Sequence, residues 1–244
     1  VKLAERPADM TELAKTFRAR LEEICAPLRP NVINERKASD GCLKWLLQFE
    51  DGAQVESVFI PETDRGTLCV SSQVGCSLAC PFCQTGTQKL SRNLEAFEIV
   101  QQLTHARARV AKDGKKITNV VYMGMGEPLY NFDAMAQSIK ILMDQNGLAV
   151  GGRKITVSTA GVTPRLARLG TELNVNIAIS LHSVRDDVRD QLVPLNRKHN
   201  LKELHEAAKA YPLRGGRRVT WEYVLLDGIN DSDQDARELA QYLK

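Results

Sequence analysis

Three cysteines crowd into one short run, Val74-Gly75-Cys76-Ser77-Leu78-Ala79-Cys80-Pro81-Phe82-Cys83. Thiolates at C-x₃-C-x₂-C spacing on a tight loop can hold three irons of a [4Fe-4S] cluster and leave the fourth iron open. An open coordination position is what a reactive metal centre needs and a closed structural one lacks. Structural zinc is the competing reading. It asks for four ligands in paired knuckles, yet the nearest histidine is His105 and no cysteine follows Cys83. Three passive core cysteines are a third reading, which fits poorly beside Gly75 and Pro81 because both interrupt helix and strand interiors.

The elements that must position this loop follow from periodicity. Residues 8–25 place Met10, Leu13, Phe17, Leu21 and Ile24 at helical spacing before Pro27 and Pro30, which predicts one amphipathic helix. Residues 43–49 and 55–60 alternate around Asp51-Gly52, the signature of a β-hairpin with Glu56 on its second strand. From Leu68 onward, apolar runs at 68–72, 119–123, 154–158, 174–180 and 219–226 alternate with helical stretches. This is the pattern of βα units around a parallel sheet. Asn93, Asn131, Thr163 and Asp231 are the expected helix caps. Polar residues gather where the strands end, at Gly126-Glu127-Pro128, Ser158-Thr159 and Ser180-Leu181-His182. In βα barrels those ends and the loops after them build the site.

Composition sets the class. The chain has 244 residues, 43% of them hydrophobic, and a net charge of +3, enough to bury a full core. No apolar run reaches membrane-spanning length and Val1-Lys2-Leu3-Ala4-Glu5-Arg6 lacks a signal-peptide core, so a cytoplasmic protein is expected. Six cysteines, half of them in one loop, do not resemble a secreted disulfide framework. Lys89, Arg92, Arg214, Arg217 and Arg218 form either phosphate contacts or a solvated face.

The cysteine loop with an aromatic, Phe82, before its last thiol, followed by Gly124-Met125-Gly126-Glu127-Pro128 after a strand, resembles the radical S-adenosylmethionine (SAM) superfamily. Narrower words are Val55-Glu56-Ser57-Val58-Phe59-Ile60-Pro61, Leu68-Cys69-Val70-Ser71-Ser72-Gln73, Arg92-Asn93-Leu94 and Ser180-Leu181-His182. Together they resemble the RlmN/Cfr family of RNA adenine methyltransferases, with the RlmN branch closer. The resemblance covers residues 41–244.

It implies a partial (β/α)6 barrel with five βα units in this chain. Residues 1–30 would end a helical accessory domain, 31–65 would form the hairpin extension and 66–244 the barrel, without its last unit and C-terminal tail. The implied reaction methylates carbon 2 of an adenine in 23S ribosomal RNA and, in some members, transfer RNA; carbon 8 is the Cfr alternative. Such an sp² C–H carbon is no nucleophile, so the cofactor must supply radical chemistry. The implied mechanism consumes two SAM molecules through a methyl-cysteine carrier.

Carried onto this sequence, Cys76, Cys80 and Cys83 would ligate the cluster. Phe82, Gly126, Glu127, Ser158, Ser180, Leu181 and His182 would contact SAM. Glu56 would be the general base, and Cys69 would resolve a protein–RNA crosslink by forming a disulfide. An electron donor such as flavodoxin, RNA as substrate and a monomeric state complete the expectation. The family's methyl-carrying cysteine has no counterpart after Cys83, so this stretch is expected to bind cluster and cofactor without methylating RNA, and to be shortened at both ends. Two other classes share parts of the pattern: a radical SAM activase acting on a protein glycine, which needs neither Glu56 nor Cys69, and a zinc-dependent nucleic-acid-binding module.

Overall fold

The computed structural model describes residues 6–24, 29–213 and 215–244. Cys25 and Pro27, expected at the end of the first helix, and Arg214, expected among the basic residues, lie outside the described residues. A 3-10 turn at Pro7–Asp9 precedes helix α1, Lys15–Ile24. The single helix expected over 8–25 is therefore shorter and starts later. No residue of α1 is buried, and Phe17 and Ile24 stand exposed. Helical length in proteins comes mainly from packing an apolar face, and the described residues offer this face no cover.

Three antiparallel strands follow: β1 (Asn31–Lys37), β2 (Leu43–Gln48) and β3 (Gln54–Pro61). The Asp51-Gly52 turn forms as its sequence dictates: Gly52 takes φ +83° and the Asp51 carboxylate accepts from Ala53 N–H, as Asx turns do. Strand β1 adds a third member to the expected hairpin. Every residue of β1 is exposed, so it carries no alternation to betray it.

Strand β4 (Gly66–Cys69) pairs antiparallel with β3 and carries the sheet onward. The short strands β5 (Gln73–Val74) and β6 (Arg92–Asn93) pair with each other. Then come α2 (Ala96–Ala111), β7 (Asn119–Tyr122), α3 (Phe132–Met143), β8 (Ile155–Thr159), α4 (Thr163–Glu172) and β9 (Asn176–Ser180). Two helices, α5 (Asp186–Leu192) and α6 (Leu201–Lys209), precede β10 (Val219–Glu222) and α7 (Asp233–Tyr242). One eight-stranded sheet runs β1-β2-β3-β4-β7-β8-β9-β10. From β4 to β10 the neighbours are parallel. The five strands expected from the apolar runs are all present, in α/β order. No helix among the described residues is long and apolar enough to cross a membrane.

Helices cover one face of the sheet. Trp45, Val55, Phe59, Leu68, Val120, Tyr122, Val157 and Ile177 are buried there, under Ile99, Leu103, Ala106 and Val110 of α2 and Phe132, Met135 and Ile139 of α3. The α2 residues recur at i, i+4, i+7 and i+11, one stripe of a helix.

The helix starts correct three of the four expected caps. Glu95, not Asn93, caps α2 in a box with Glu98; Asn93 instead accepts from the Gln73 amide. Helix α4 already contains Thr163, whose hydroxyl meets His199. Ser232, not Asp231, caps α7 by accepting from Asp235 N–H. Asn131 stands at the start of α3, but its amide donates to the Ser72 and Leu94 carbonyls. Asn93, Asn131 and Thr163 each spend the side chain on a tertiary hydrogen bond, whereas Asp231 accepts from Gly228 N–H within its own turn.

Candidate active site

Register decides which side chains meet at the open face. Val58 lies opposite Cys69, Cys69 opposite Val121, and Val121 opposite Thr156. Two residues on, Ser158 lies opposite Ala178, and two further Ser180 lies opposite Glu222. Side chains alternate with period two and cross-strand partners share a face. Glu56, Cys69, Ser158, Ser180 and Glu222 therefore project from one face, the one opposite Phe59, Leu68 and Tyr122.

At the C-terminal ends of the parallel strands this face opens into a cavity of about 460 Å³, within the range of small-molecule sites. Cys76, Cys80, Cys83, Phe82, Gly126, Glu127, Ser158, Ser180 and His182 all line it. Residues spread over more than a hundred positions of sequence thus come to one wall.

The cysteine loop is built to hold its shape. The β5–β6 ladder ties its base, and Ser91 N–H donates to the Val74 carbonyl. Gly75 sits at φ +79°, where a Cβ would lie 2.1 Å from the Lys89 carbonyl oxygen, so only glycine fits. Burial pushes the Cys80 thiol up to about 12, with Cys76, Cys83 and Glu127 adding negative neighbours. Burial also raises Cys76. Such thiols give up their protons to a strongly positive centre and to little else. They stand around a cavity and not about a single point: among the described residues no three His, Cys, Asp or Glu could share one ion. Three thiols spread around one cavity fit the ligand set of a multi-iron cluster.

Glu127 is 3% exposed. Its Oε1 accepts from Leu129 N–H at 3.0 Å and its Oε2 from Ala160 N–H at 2.8 Å. Burial raises its carboxyl above the ordinary value, and those backbone donors and Thr159 pull against the rise. Gly126 has φ +97°, and a Cβ there would strike the Gln73 side chain; that same side chain accepts from Glu127 N–H at 2.8 Å. His182 sits at φ +57°, its Nδ1 accepting from Val224 N–H at 3.1 Å. Its ring meets Phe82 edge-on at 4.8 Å, a favourable aromatic geometry. Burial, with Arg189 repelling a second positive charge, lowers His182 to about 4. Leu181 differs from its neighbours. It is fully buried and lines no part of the cavity, and its carbonyl accepts from Arg189 Nε.

Glu56 and Cys69 share the face but not the cavity lining. The Glu56 side chain is 46% exposed and pairs with Lys44 Nζ at 2.6 Å. Burial pushes the Cys69 thiol up to about 11; the Met123 N–H opposes this and Glu222 adds to it. Of the basic residues, Arg92 is already neutralised by Asp51 and Glu98, inside a second hollow of about 870 Å³ beside the hairpin turn. Lys89 and Arg218 are exposed and Arg217 is half-buried. Arg217 and Arg218 precede β10, at the end of the barrel away from the cysteines.

Two residues of the site escaped the sequence reading. Glu222 lines the cavity and accepts from Ser158 Oγ at 2.7 Å and Ser180 Oγ at 3.3 Å. Its signal was there, an acidic residue in the apolar run that forms β10. Arg189, fully buried, ties the strand ends together: it donates to the Leu181, Ala160 and Ser180 carbonyls and to Asn196 Oδ1. Nothing in Asp-Asp-Val-Arg-Asp-Gln-Leu distinguishes it from a solvated helix face.

A parallel βα sheet whose strand ends face a three-cysteine loop defines a class, and residues 70–240 match the Radical SAM superfamily. A dual-specificity RNA methyltransferase RlmN from Magnetococcus marinus is 55% identical over 244 residues, all of this chain and 68% of the relative. The RlmN of Rhodospirillum rubrum is 51% identical over 96% of this chain and 56% of its own length. A crystal structure of a radical SAM methyltransferase from Sphaerobacter thermophilus superposes with TM-score 0.95 at 45% identity, covering 99% of this chain and 72% of that one. The chain belongs to the radical SAM superfamily and, within it, to the RlmN family. It spans between about half and two thirds of the length of these curated relatives.

Proposed function

We propose that the protein to which this chain belongs methylates carbon 2 of an adenine in 23S ribosomal RNA, and in transfer RNA, with a [4Fe-4S] cluster and SAM. The observation that carries this reading is the single cavity wall shared by Cys76, Cys80, Cys83, Glu127, Ser158, Ser180 and His182. The names of the relatives support the RNA substrate. Carbon 2 over carbon 8 follows from the RlmN family alone. A cytoplasmic location, a monomer and a flavodoxin-type electron donor belong to the same reading.

In this reading Cys76, Cys80 and Cys83 hold the cluster. When bound, cluster and SAM together supply the radical chemistry that an inert aromatic C–H demands. The chain's own residues prepare the site for that chemistry. Gly126 and Glu127 bring a carboxylate and a backbone turn to the cofactor's amino group, where a charge-assisted contact is strong. Ser158, Ser180 and His182 face its ribose and adenine, and Phe82 closes the wall against His182. Leu181 contributes through its backbone.

Glu56 takes a proton from the alkylated adenine. Its place on the open face and its exposure to solvent allow RNA to reach it and to displace Lys44. Cys69, on the same face, attacks the carrier-cysteine sulfur of the protein–RNA crosslink: the S–S bond forms as that sulfur's bond to the methylene carbon breaks, the electron pair leaves with the carbon, and the Cys69 proton, which burial holds on the thiol, is lost to a base in the same step. The 244 residues carry no cysteine after Cys83, so methyl transfer belongs to the whole protein. By themselves they hold cluster and cofactor.

Anaerobic reconstitution with iron and sulfide tests the first half. The wild-type chain is expected to acquire the visible absorption of a [4Fe-4S] cluster, and Cys76→Ala, Cys80→Ala and Cys83→Ala each to lose it; full iron retention by any of the three would sink the ligand assignment. Labelled methyl incorporation by the full-length protein, with the product nucleoside identified as 2-methyladenosine or 8-methyladenosine, tests the second half.

A further inference from the structure

A smaller hollow, of about 440 Å³, lies on the outer flank of the cysteine loop. Leu78, Tyr130, Pro194 and Leu195 give it an apolar floor, and Arg197 and Lys198 stand at its rim. Leu78 also lines the large cavity. It stands between Cys76 and Cys80, and its N–H donates to Cys76 Sγ at 3.5 Å. One stretch of loop therefore separates this hollow from the space enclosed by the three thiols.

The rim is electrostatically unbalanced. Arg197 and Lys198 are exposed, and neither has a carboxylate partner among the described residues. Arg165, whose charge acts on Tyr130, adds a third unpaired cation. The acids close by in sequence are committed elsewhere: Asp186 and Asp190 both accept from the Asn196 amide, and Glu203 pairs with His199. An apolar centre inside a polar rim is the anatomy of a protein interface. Small interfaces guided by charge are those of transient electron-transfer encounters. RNA fits less well, because its affinity comes from phosphates neutralised across a surface, which an apolar floor does not supply. Glu56 and Cys69, the residues read as meeting RNA, also lie outside this hollow.

We infer that this hollow is the docking site of an acidic one-electron donor protein. The inference rests on the cluster reading above and adds to it the surface by which electrons arrive. Electron transfer weakens steeply with distance, and a donor seated here has only the Ser77-Leu78 stretch to cross. The step is balanced: a flavin hydroquinone on the donor gives up one electron and becomes a semiquinone, the cluster passes from its 2+ to its 1+ state, and no bond forms or breaks.

The test uses the full-length protein, reconstituted anaerobically, with reduced flavodoxin as the acidic donor and dithionite as a small reductant that needs no docking site. Cluster reduction is followed by electron paramagnetic resonance in wild type and in an Arg197→Glu, Lys198→Glu double variant. At low salt the variant is expected to be reduced by flavodoxin at least about tenfold more slowly, and by dithionite equally well. Added salt slows the wild-type reaction and hardly changes that of the variant. Calorimetric titration of flavodoxin into cluster-free protein gives a readout independent of iron, with weaker binding expected for the variant. RNA affinity is expected to be the same in both proteins. Equal flavodoxin rates in wild type and variant overturn the inference and leave the cluster reading standing. Normal flavodoxin reduction with weakened RNA binding gives the patch to RNA and overturns it too. A wild type without a cluster signal under dithionite overturns the reading and the inference together. An Arg197→Ala, Lys198→Ala pair covers the case of a charge-reversed variant that fails to fold: it is expected to slow flavodoxin by a smaller factor, and an unchanged rate there also overturns the docking site.

Discussion

The two faces of the central sheet are made from the same strands and differ in almost everything else. One carries Phe59, Leu68, Tyr122 and Val157 under helices α2 and α3. The other carries Glu56, Cys69, Ser158, Ser180 and Glu222 and opens to the cysteine loop. A parallel strand covered on both faces reads as a continuous apolar run. Ile155-Thr156-Val157-Ser158-Thr159 and Val219-Thr220-Trp221-Glu222 instead alternate. The difference teaches that polar alternation inside a parallel sheet marks where a ligand replaces a packed neighbour.

The sharpest way to break this comparison is to remove a large side chain from the covered face. Trp45→Ala is expected to cost about 3–5 kcal/mol, read from denaturant unfolding, while reconstituted iron content stays at the wild-type level. An unchanged midpoint would show that the covered face is not what holds the fold.

The next effect tests the seam between the faces. Arg189→Met leaves three carbonyls and Asn196 without their donor. Each buried group left unsatisfied costs about 1–3 kcal/mol, so a loss of about 3 kcal/mol or more is expected, with weaker S-adenosylhomocysteine binding because Ala160 and Ser180 move. A stable variant with normal binding would reduce Arg189 to a filler.

A smaller effect comes with pH. Burial holds His182 at about 4, against an ordinary 6.5. The unfolded chain therefore takes up a proton first as pH falls, and stability is lost between about 6.5 and 4, by up to about 3 kcal/mol. His182→Asn, whose side chain tolerates the left-handed backbone, should flatten that slope in melting curves recorded across the same window. Parallel curves for the two proteins would remove His182 as the cause.

The smallest effect falls on the open face near its edge. Glu56→Gln breaks an exposed pair with Lys44, so stability is expected to stay within about 0.5 kcal/mol. RNA methylation by the full-length protein is expected to be abolished. Residual methylation at the wild-type rate would take Glu56 out of the chemistry.

Much of this was legible in residue order because the five parallel strands combine period-two alternation with breaks at polar loops. The cysteine spacing and the polar strand ends showed the cavity wall for the same reason: short loops after strands keep neighbours in sequence close in space. What was hidden depends on pairing across distance. Strand β1 has neither face covered and so no pattern. Asn93 has the right chemistry for a cap, but Gln73, twenty positions back, claims it; Asp231 instead closes its own turn on Gly228. Helix α6 does carry a readable cap, Asn200 accepting from Glu203 N–H. Glu222 became meaningful only once Ser158 and Ser180, 64 and 42 positions away, were seen to donate to it.

The β5–β6 ladder at the neck of the cysteine loop has a bearing on the protein's life in air. The loop is closed by backbone pairing, by a glycine that no other residue can replace and by the Ser91 bond, none of which involves a thiol. A zinc finger unravels without its metal because the metal is its core; here the core lies under the helices instead. With the proposed cluster bound there, loss of its iron would leave these ties in place, so refilling the loop would call for an iron and sulfur donor and not for refolding.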